Sequence, residues 1–552
     1  MAKHDKKTLQ ARSKLAWGIK DNWQSLLSEC YDYALPDRNP YHQTGNGRPV
    51  KNMTQGTDKS SPRVFDSTLQ HNATKLANKL QYELFPMGTH WADLVPGAFV
   101  LDDAMKMQQK AELQKLQQVL FASIQLSNFD LAIAEWLIEL VVVGTAVMVV
   151  QRGNDINPVI YRCVSQAHVA FLEGGHNHID YISIKHNLRI DQIRPYWSDA
   201  KIPELTDRER QEMPSYDLDE ITYYDYDAGV WRYVVIMKGK RGSSTPDGEI
   251  IVEREYRISP INISRWSKAV DETQGRSLVM AALPDARVLS AVKMYILKQA
   301  ALAIAGAYLV RNDGVVNVNN VKVFPGATIA VRSTGGANGA SVVPLEVGGQ
   351  TQLAQLIISD LKDGIDKIML NTGLPDLSDG VRSATEFVER MKDLQQSIGA
   401  PFSRILREGI VPMLESHLQV MAEIGIVAEP EGGVFRLNAG DVELRFTSPL
   451  VQGQAVREIE QLLNATQVIA SVAGEQGAQL VPVAVKIEDL PAWAFDKTGA
   501  DVNLLRSEQE INKIQEGLGQ MAAQNQGAPA GGVQQQEAAD AAALEANVTG
   551  GM

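Results

Sequence analysis

The stretch from residue 278 to 370 holds two amphipathic helical patterns separated by a turn-rich β segment, and few folds can house that unit. After Pro284, Leu289, Val292, Ile296, Ala300 and Ala303 fall at steps of three and four, with no breaker before Gly306. Short apolar runs at 308–310, 328–331 and 341–345 then alternate with Gly- and Asn-rich turns, among them GGANGA at 335–340, which predicts short strands. A second helix is predicted over 351–370, with Leu353, Ile357, Leu361, Ile365 and Ile368 on one stripe and Asp360, Asp363, Asp366 and Lys367 off it. A small β element is thus inserted between two long helices, each with an apolar stripe to bury.

Around this unit the periodicity changes twice. From 8 to 35, Leu9, Leu15, Trp17, Ile19, Trp23, Leu26 and Leu27 recur near helical spacing, followed by a Pro-, Asn- and Gly-rich loop to about 62. Helices are predicted over 67–84, ending at Phe85-Pro86, and over 104–127. The apolar run at 136–150 is shorter than the ~20 residues a bilayer requires and contains Glu139; it reads as a buried helix end running into a core strand. Antiparallel strands are predicted within 145–260, at 147–150, 179–184, 222–226, 231–237 and 250–258. After the second helix of the unit, NTGLPDLSDGVRS fills 371–383 as a loop, and Ser383 with Glu386 has capping-box spacing. A very long helix to about 424 should kink at Gly399 and Pro401 and again at Gly409 and Pro412. A strand at 442–447 leads through Ser448-Pro449 into another helix to about 472, and from 524 the Ala, Gln and Gly composition predicts a flexible or weakly helical tail.

Composition narrows the function. A chain of 552 residues, 44% hydrophobic and 22% charged, holds several folded domains. A net charge of −13 argues against a protein that grips nucleic acid by neutralising phosphates, although Lys6, Lys7, Arg12 and Lys14 make the start basic. Two cysteines, Cys30 and Cys163, are too few for a disulfide framework, and the start lacks the apolar core of a secretory signal, so folding in a cytosol is expected. No phosphate loop, H-E-x-x-H or C-x-x-C occurs, which removes the commonest nucleotide-motor and zinc signatures. Cys163, His168, His176 and His178 could hold zinc in a cytosolic metal-dependent hydrolase, the rival reading, but Glu173-Gly174-Gly175 reads as a hairpin turn that leaves the histidines solvated. Ser290 with Lys293, and Lys497-Thr498-Gly499, match two elements of the penicillin-binding serine enzymes; the third is missing, and Ser290 reads as a helix-surface serine. Arg265-Trp266 and Trp231-Arg232 could stack on bases, but read better as core aromatics with a charged neighbour.

Five local patterns fall in one order: Leu84-Phe85-Pro86-Met87 followed by Trp91; Gly275-Arg276 with Ala282-Leu283-Pro284-Asp285; Arg382-Ser383-Ala384-Thr385-Glu386; Ser448-Pro449-Leu450 before Gln454-Ala455; and Leu505-Arg506-Ser507 followed by Glu508. With the helix, β insert, helix unit, this order resembles the portal, or head-to-tail connector, proteins of short-tailed bacteriophages. The resemblance implies an α+β portal fold. It would have an N-terminal α/β wing over 1–277, a helical stem at 278–305 and 351–370, and a small β-containing clip at 306–350. A channel loop at 371–383, a kinked wing helix and return strand at 384–449, wing-end and crown helices at 450–523 and the tail at 524–552 would follow.

The same resemblance implies a non-enzymatic ring of about twelve copies closed through heterologous interfaces. Double-stranded DNA would pass through it during packaging and ejection. Further partners would be the terminase large subunit, the tail adaptor and tail proteins, and the major capsid and scaffolding proteins, with no cofactor, metal or membrane. The site would be the capsid portal vertex of the virion, after assembly in the host cytoplasm. An acidic or mixed lining repels phosphates and lets a duplex move. Asp360, Asp363, Asp366, Asp376, Asp379 and Arg382 are therefore candidates for the channel lining, Arg382 either for direct phosphate contact or for pairing with Asp379 or a neighbouring subunit. Arg311, Lys322 and Arg332 are candidates for docking at the clip.

Overall fold

The computed structural model describes residues 6–41, 64–97 except 89, 103–240 except 155, 176–177 and 203–214, and 248–310 except 306–307. It further describes 342–344, 351–371, 399–428 except 400, 435–437, 442–446, and the isolated positions 462, 464–465 and 490. The chain divides into two compact units, Met1–Gly453 and Gln454–Met552. In the second, the described residues 462, 464–465 and 490 are helical; everything below concerns the first.

The first unit is a mixed α+β fold of several helices and antiparallel sheets. It opens with helices α1 (Lys6–Asp21) and α2 (Gln24–Ala34), then α3 (Thr68–Leu84), strand β1 (Ala92–Pro96), α4 (Asp103–Leu126) and α5 (Phe129–Val143). From Trp136 to its end α5 is almost wholly apolar and enclosed, with Trp136, Leu137 and Val141 fully covered, whereas Leu131 and Glu135 nearer its start are exposed. Gly144 ends it at φ 76, a left-handed conformation that suits glycine, and the chain turns directly into β2 (Thr145–Arg152). Here the apolar run at 136–150 resolves into a helix end and a core strand.

The next strands are β3 (Val159–Val164), β4 (Val169–Glu173) and β5 (Ile179–Arg189); short helix α6 (Ile190–Tyr196) precedes β6 (Ser215–Asp225), β7 (Val230–Lys240), β8 (Glu249–Tyr256) and β9 (Ile261–Arg265). They form a three-stranded sheet, β3-β2-β9, and a five-stranded sheet, β4-β5-β6-β7-β8. Strand alternation distributes them between cores. In β2, Ala146, Met148 and Val150 join the helical core around Trp136, while Val147 and Val149 join the β core with Ile182, Ile184 and Val235. The opposite face of the larger sheet, Tyr181, Ile221, Val234 and Ile236, is covered by Leu9 and Ala16 of α1.

The remaining elements are α7 (Leu278–Ala305), β10 (Tyr308–Val310), β11 (Val342–Pro344), α8 (Thr351–Ile368), α9 (Val411–Ile424) and β12 (Val442–Phe446). β10 pairs antiparallel with β11, and β12 with β1.

The folded chain departs from several expectations. The single helix expected over 8–35 is two, broken at residues 22–23, where Trp23 donates its amide to Lys20. α7 starts at Leu278, earlier than the regular stripe after Pro284 that announces it, and Ser277 caps it: its hydroxyl accepts from the Met280 amide at 3.0 Å and donates to the Val142 carbonyl at 2.9 Å. Ser290 is not a surface serine but is buried, its hydroxyl accepting from the Phe65 amide at 3.1 Å. The kink expected at Gly409 and Pro412 takes the form of a π-helical turn, Ile405–Ile410, that runs straight into α9 with Pro412 in its first turn. β1 carries no alternating pattern long enough to stand out and is defined by its pairing with β12. The expected loop to 62 beyond residue 41, the loop at 371–383 beyond Asn371, the strand at 328–331, the capping box at Ser383, most of the helix to 472 and the tail after 524 lie outside the described residues.

Candidate functional site

α7 and α8 form a helical hairpin whose base is part of the helical core and whose far end is not. At the base, Val279, Ala282, Leu283, Ala286 and Leu289 of α7 are buried together with Ile365 and Met369 at the end of α8. Gly364 sits beside Asp285, where an added Cβ would lie 3.4 Å from the carboxylate, so α8 returns along α7 in close contact. Toward the β10–β11 end the same helices expose apolar side chains: Tyr295, Leu297 and Ile304 on α7, and Leu353, Leu356 and Ile357 on α8. Ile304 is 86% exposed and Leu356 67%. The stripe read from the sequence is thus covered only from Leu361 onward, and its first half faces away from the chain's own core.

The base is held by side chains the periodic pattern does not reveal. Arg287 forms a two-pronged ion pair with Glu29 of α2, and Lys293 pairs with Asp66, whose other oxygen accepts from the Thr68 amide at 2.7 Å and caps α3. Asn72 of α3 donates to Asp366 and accepts from the Asn371 side chain at 2.7 Å, fixing the exit of α8 where Leu370 adopts φ 55. At the start of α7, Gly275 donates its amide to Thr145 Oγ1 at 2.9 Å, and a Cβ there would collide with the Gly144 carbonyl. The Gly275-Arg276 pattern in the sequence therefore has a physical reason: two glycines pass backbone against backbone.

A second network joins the π-helical turn to the sheets. Arg265, 2% exposed, donates to Glu408 at 3.0 and 2.8 Å, to the Thr273 carbonyl at 3.1 Å and to Glu173, which also receives Lys268 at 2.7 Å. Arg404 pairs with the same Glu408 at 2.7 Å. Burial alone would raise the Glu173 carboxyl, but hydrogen bonds from Lys268 and Arg265 hold it below the usual range. Trp266 beside Arg265 is buried, and the half-buried Trp231 packs against Tyr224 at 5.4 Å while Arg232 engages Asp225 and Glu255.

Of the candidate channel residues, Asp360 and Asp363 are exposed on α8, whereas Asp366 is half-buried against Asn72. Asp376, Asp379 and Arg382, and the candidate docking residues Arg311, Lys322 and Arg332, lie outside the described residues.

Nothing supports the rival metal site. Cys163 lies on β3 with its thiol pushed far up by burial, and His168 closes the turn Gln166–His168. Burial, Lys20 and His186 together lower the His168 imidazole to about 3. His178 is exposed ahead of β5, in the hairpin that links β4 to β5, and His176 lies outside the described residues. Among the described residues no group of three or more His, Cys, Asp or Glu is placed to hold a metal ion, and no helix is long and apolar enough to cross a membrane.

Residues 6–505 match the family described as bacteriophage head to tail connecting protein. No curated protein matches the chain. Among solved structures, a chain of the virion of a native gene transfer agent particle is 12% identical, over 79% of this chain and 95% of that one, with a TM-score of 0.32. A chain from the neck of an empty gene transfer agent particle computed with C6 symmetry is 10% identical, over 76% and 92%, with a TM-score of 0.31.

Proposed function

The chain belongs to the bacteriophage head to tail connecting protein family, and from that premise we propose that copies of it close into a ring of about twelve at the portal vertex of a short-tailed phage capsid, through heterologous interfaces. Double-stranded DNA passes through the hole during packaging and ejection, and the ring is the seat first of the terminase motor and later of the tail. The family is one of structural connecting proteins, and the chain is not an enzyme.

One observation carries the reading. The α7–α8 hairpin is anchored in the core at one end and exposes Tyr295, Leu297, Ile304, Leu353, Leu356 and Ile357 at the other. An apolar surface of this kind on a rigidly anchored hairpin is covered in use, and a ring of side-by-side hairpins covers each one with the next. In this reading α7 and α8 are the stem, 306–350 the clip with Arg311, Lys322 and Arg332 turned to docking partners, and 371–383 the channel loop. Residues 1–277 and 384–449 supply the wing, and 450–523 its outer end and crown. Asp360 and Asp363 face the duplex together with Asp376, Asp379 and Arg382, and the net charge of −13 leaves phosphate contacts weak and exchangeable.

The test is to replace the exposed apolar side chains. Leu297→Lys with Leu356→Lys should leave the chain folded but disperse the rings, since each substitution places an ammonium in a surface that must be dried. Rings of unchanged size and yield from the double variant would remove the stem assignment.

A further inference from the structure

The π-helical turn Ile405–Ile410 lies inside one continuous helix, since residues 401–404 before it and α9 after it are α-helical. Across its end the Val411 amide donates to the Leu406 carbonyl, five residues back, so the turn holds one residue more than an α-helical turn would. Pro412 has no amide to give, and in an unbroken α-helix its ring would press on the Glu408 carbonyl, four residues back. A wide turn beside such a proline is a soft place. Tightening it to α-helix would rotate the residues upstream by about 100° and move them about 1.5 Å along the axis.

Glu408 is what stiffens the turn. Arg265, at the end of β9, gives it three hydrogen bonds, from the backbone amide at 3.2 Å, from Nε at 3.0 Å and from a terminal nitrogen at 2.8 Å, and Arg404 adds a fourth at 2.7 Å. The other terminal nitrogen of Arg265 donates at 3.1 Å to the Thr273 carbonyl, in the loop that leads into α7. That loop has little slack to absorb a displacement. The Arg276 amide donates to the Ser267 carbonyl at 2.7 Å, Gln274 accepts from the Gln166 side chain at 2.6 Å, Gly275 rests against Gly144 and Thr145, and Ser277 caps α7. Arg265 is 2% exposed, and its planar fork sets the distance between Glu408 and Thr273. A buried ion pair of this kind is often no more stabilising than well-packed apolar side chains; what it fixes is position.

We propose that Arg265 is a mechanical joint that makes the start of α7 follow the π-helical turn, so that a change of register in the long helix is felt at the base of the α7–α8 hairpin. In the ring reading, on which its functional meaning rests, the joint ties the wing helix to the stem. The link itself needs no ring.

The experiment is amide hydrogen exchange on the purified full-length chain, read on peptides covering 405–411 and 278–283. Gly409→Ala disturbs the turn while replacing none of the groups that bond to Arg265. With Arg265 in place it should speed exchange about tenfold in both segments. Combined with Arg265→Lys, whose single amine cannot reach Glu408 and Thr273 together, it should speed 405–411 alone. If Arg265→Lys does not fold, Glu408→Gln weakens the link from its other end and must give the same pattern. Exchange that stays slow at 278–283 with Arg265 in place, or that rises there by the same factor once Arg265 is replaced, would overturn the proposal; ring closure is measured separately, and neither result touches it.

Discussion

Single residues decide how this fold responds to acid. His417 is buried between the Tyr161 hydroxyl at 2.6 Å and the Ser123 hydroxyl at 3.0 Å, and burial lowers it from 6.5 to about 3; His168 is lowered to the same value. Their folded forms prefer neutrality, so their contribution is complete above 6.5 and is lost as pH falls toward 3. Glu415 runs the other way. Burial raises it from 4.5 to about 7, against the pull of the Leu437 amide, so it adds stability as pH falls from 7 to 4.5. Glu139, fully buried beneath the Tyr31 hydroxyl, is raised in the same sense. Glu83, raised by burial as well, adds to these gains, which oppose the two histidines down to pH 4.5, where the gains end. Below it Glu220 joins the losses: burial would raise it, but the Arg162 charge and the hydrogen bond to His186 hold it at about 2. Three groups at about 1.4 kcal/mol per pH unit each give a slope of up to about 4 kcal/mol per unit between 4.5 and 3. Denaturant midpoints measured from pH 7 to 3 should therefore be nearly level to 4.5 and fall steeply beyond. An even decline from pH 7 would mean these groups are not buried as described.

At the scale of elements, the sequence pattern was legible where one period ran long and illegible where a partner from elsewhere decided the matter. Leu289, Val292 and Ile296 announce α7, and Leu361, Ile365 and Ile368 announce α8, because an amphipathic stripe repeats in the sequence. The periodic pattern alone announces α7 only after Pro284, whereas its first turn is capped by Ser277, whose hydroxyl acts through Val142, far away in the chain. Gly275 was visible as a motif, but its reason is Gly144. The π-helical turn follows the same logic. Gly409 lies where a Cβ would come within 2.8 Å of the Trp136 ring and 3.0 Å of Ser264 Oγ, both buried, so the turn can pack on α5 and β9 only without a side chain. Gly409→Ala should cost about 2 kcal/mol, within the range for overpacked cores, seen as a lower denaturant midpoint with unchanged slope. A midpoint equal to that of the unsubstituted chain would show that the turn has room to shift.

The whole molecule was foreshadowed by the order of its parts more than by any residue in it. The candidate channel charges illustrate the limit: spacing set Asp360, Asp363 and Asp366 alike, yet Asn72 draws Asp366 into the α3 contact and leaves the other two exposed, a distinction only tertiary packing makes. Asp360→Lys with Asp363→Lys should slow or arrest DNA packaging while assembly proceeds, because two added cations per copy, multiplied around a ring, convert a repelling wall into a binding one. Packaging at the ordinary rate would place those aspartates away from the duplex. All of this presupposes closure, and native mass spectrometry of the purified chain, paired with negative-stain imaging, tests it most directly. The account predicts one closed annulus of about twelve copies with a central hole wide enough for a duplex; a chain that stays monomeric, or builds open chains with no hole, at concentrations where it is folded would contradict it.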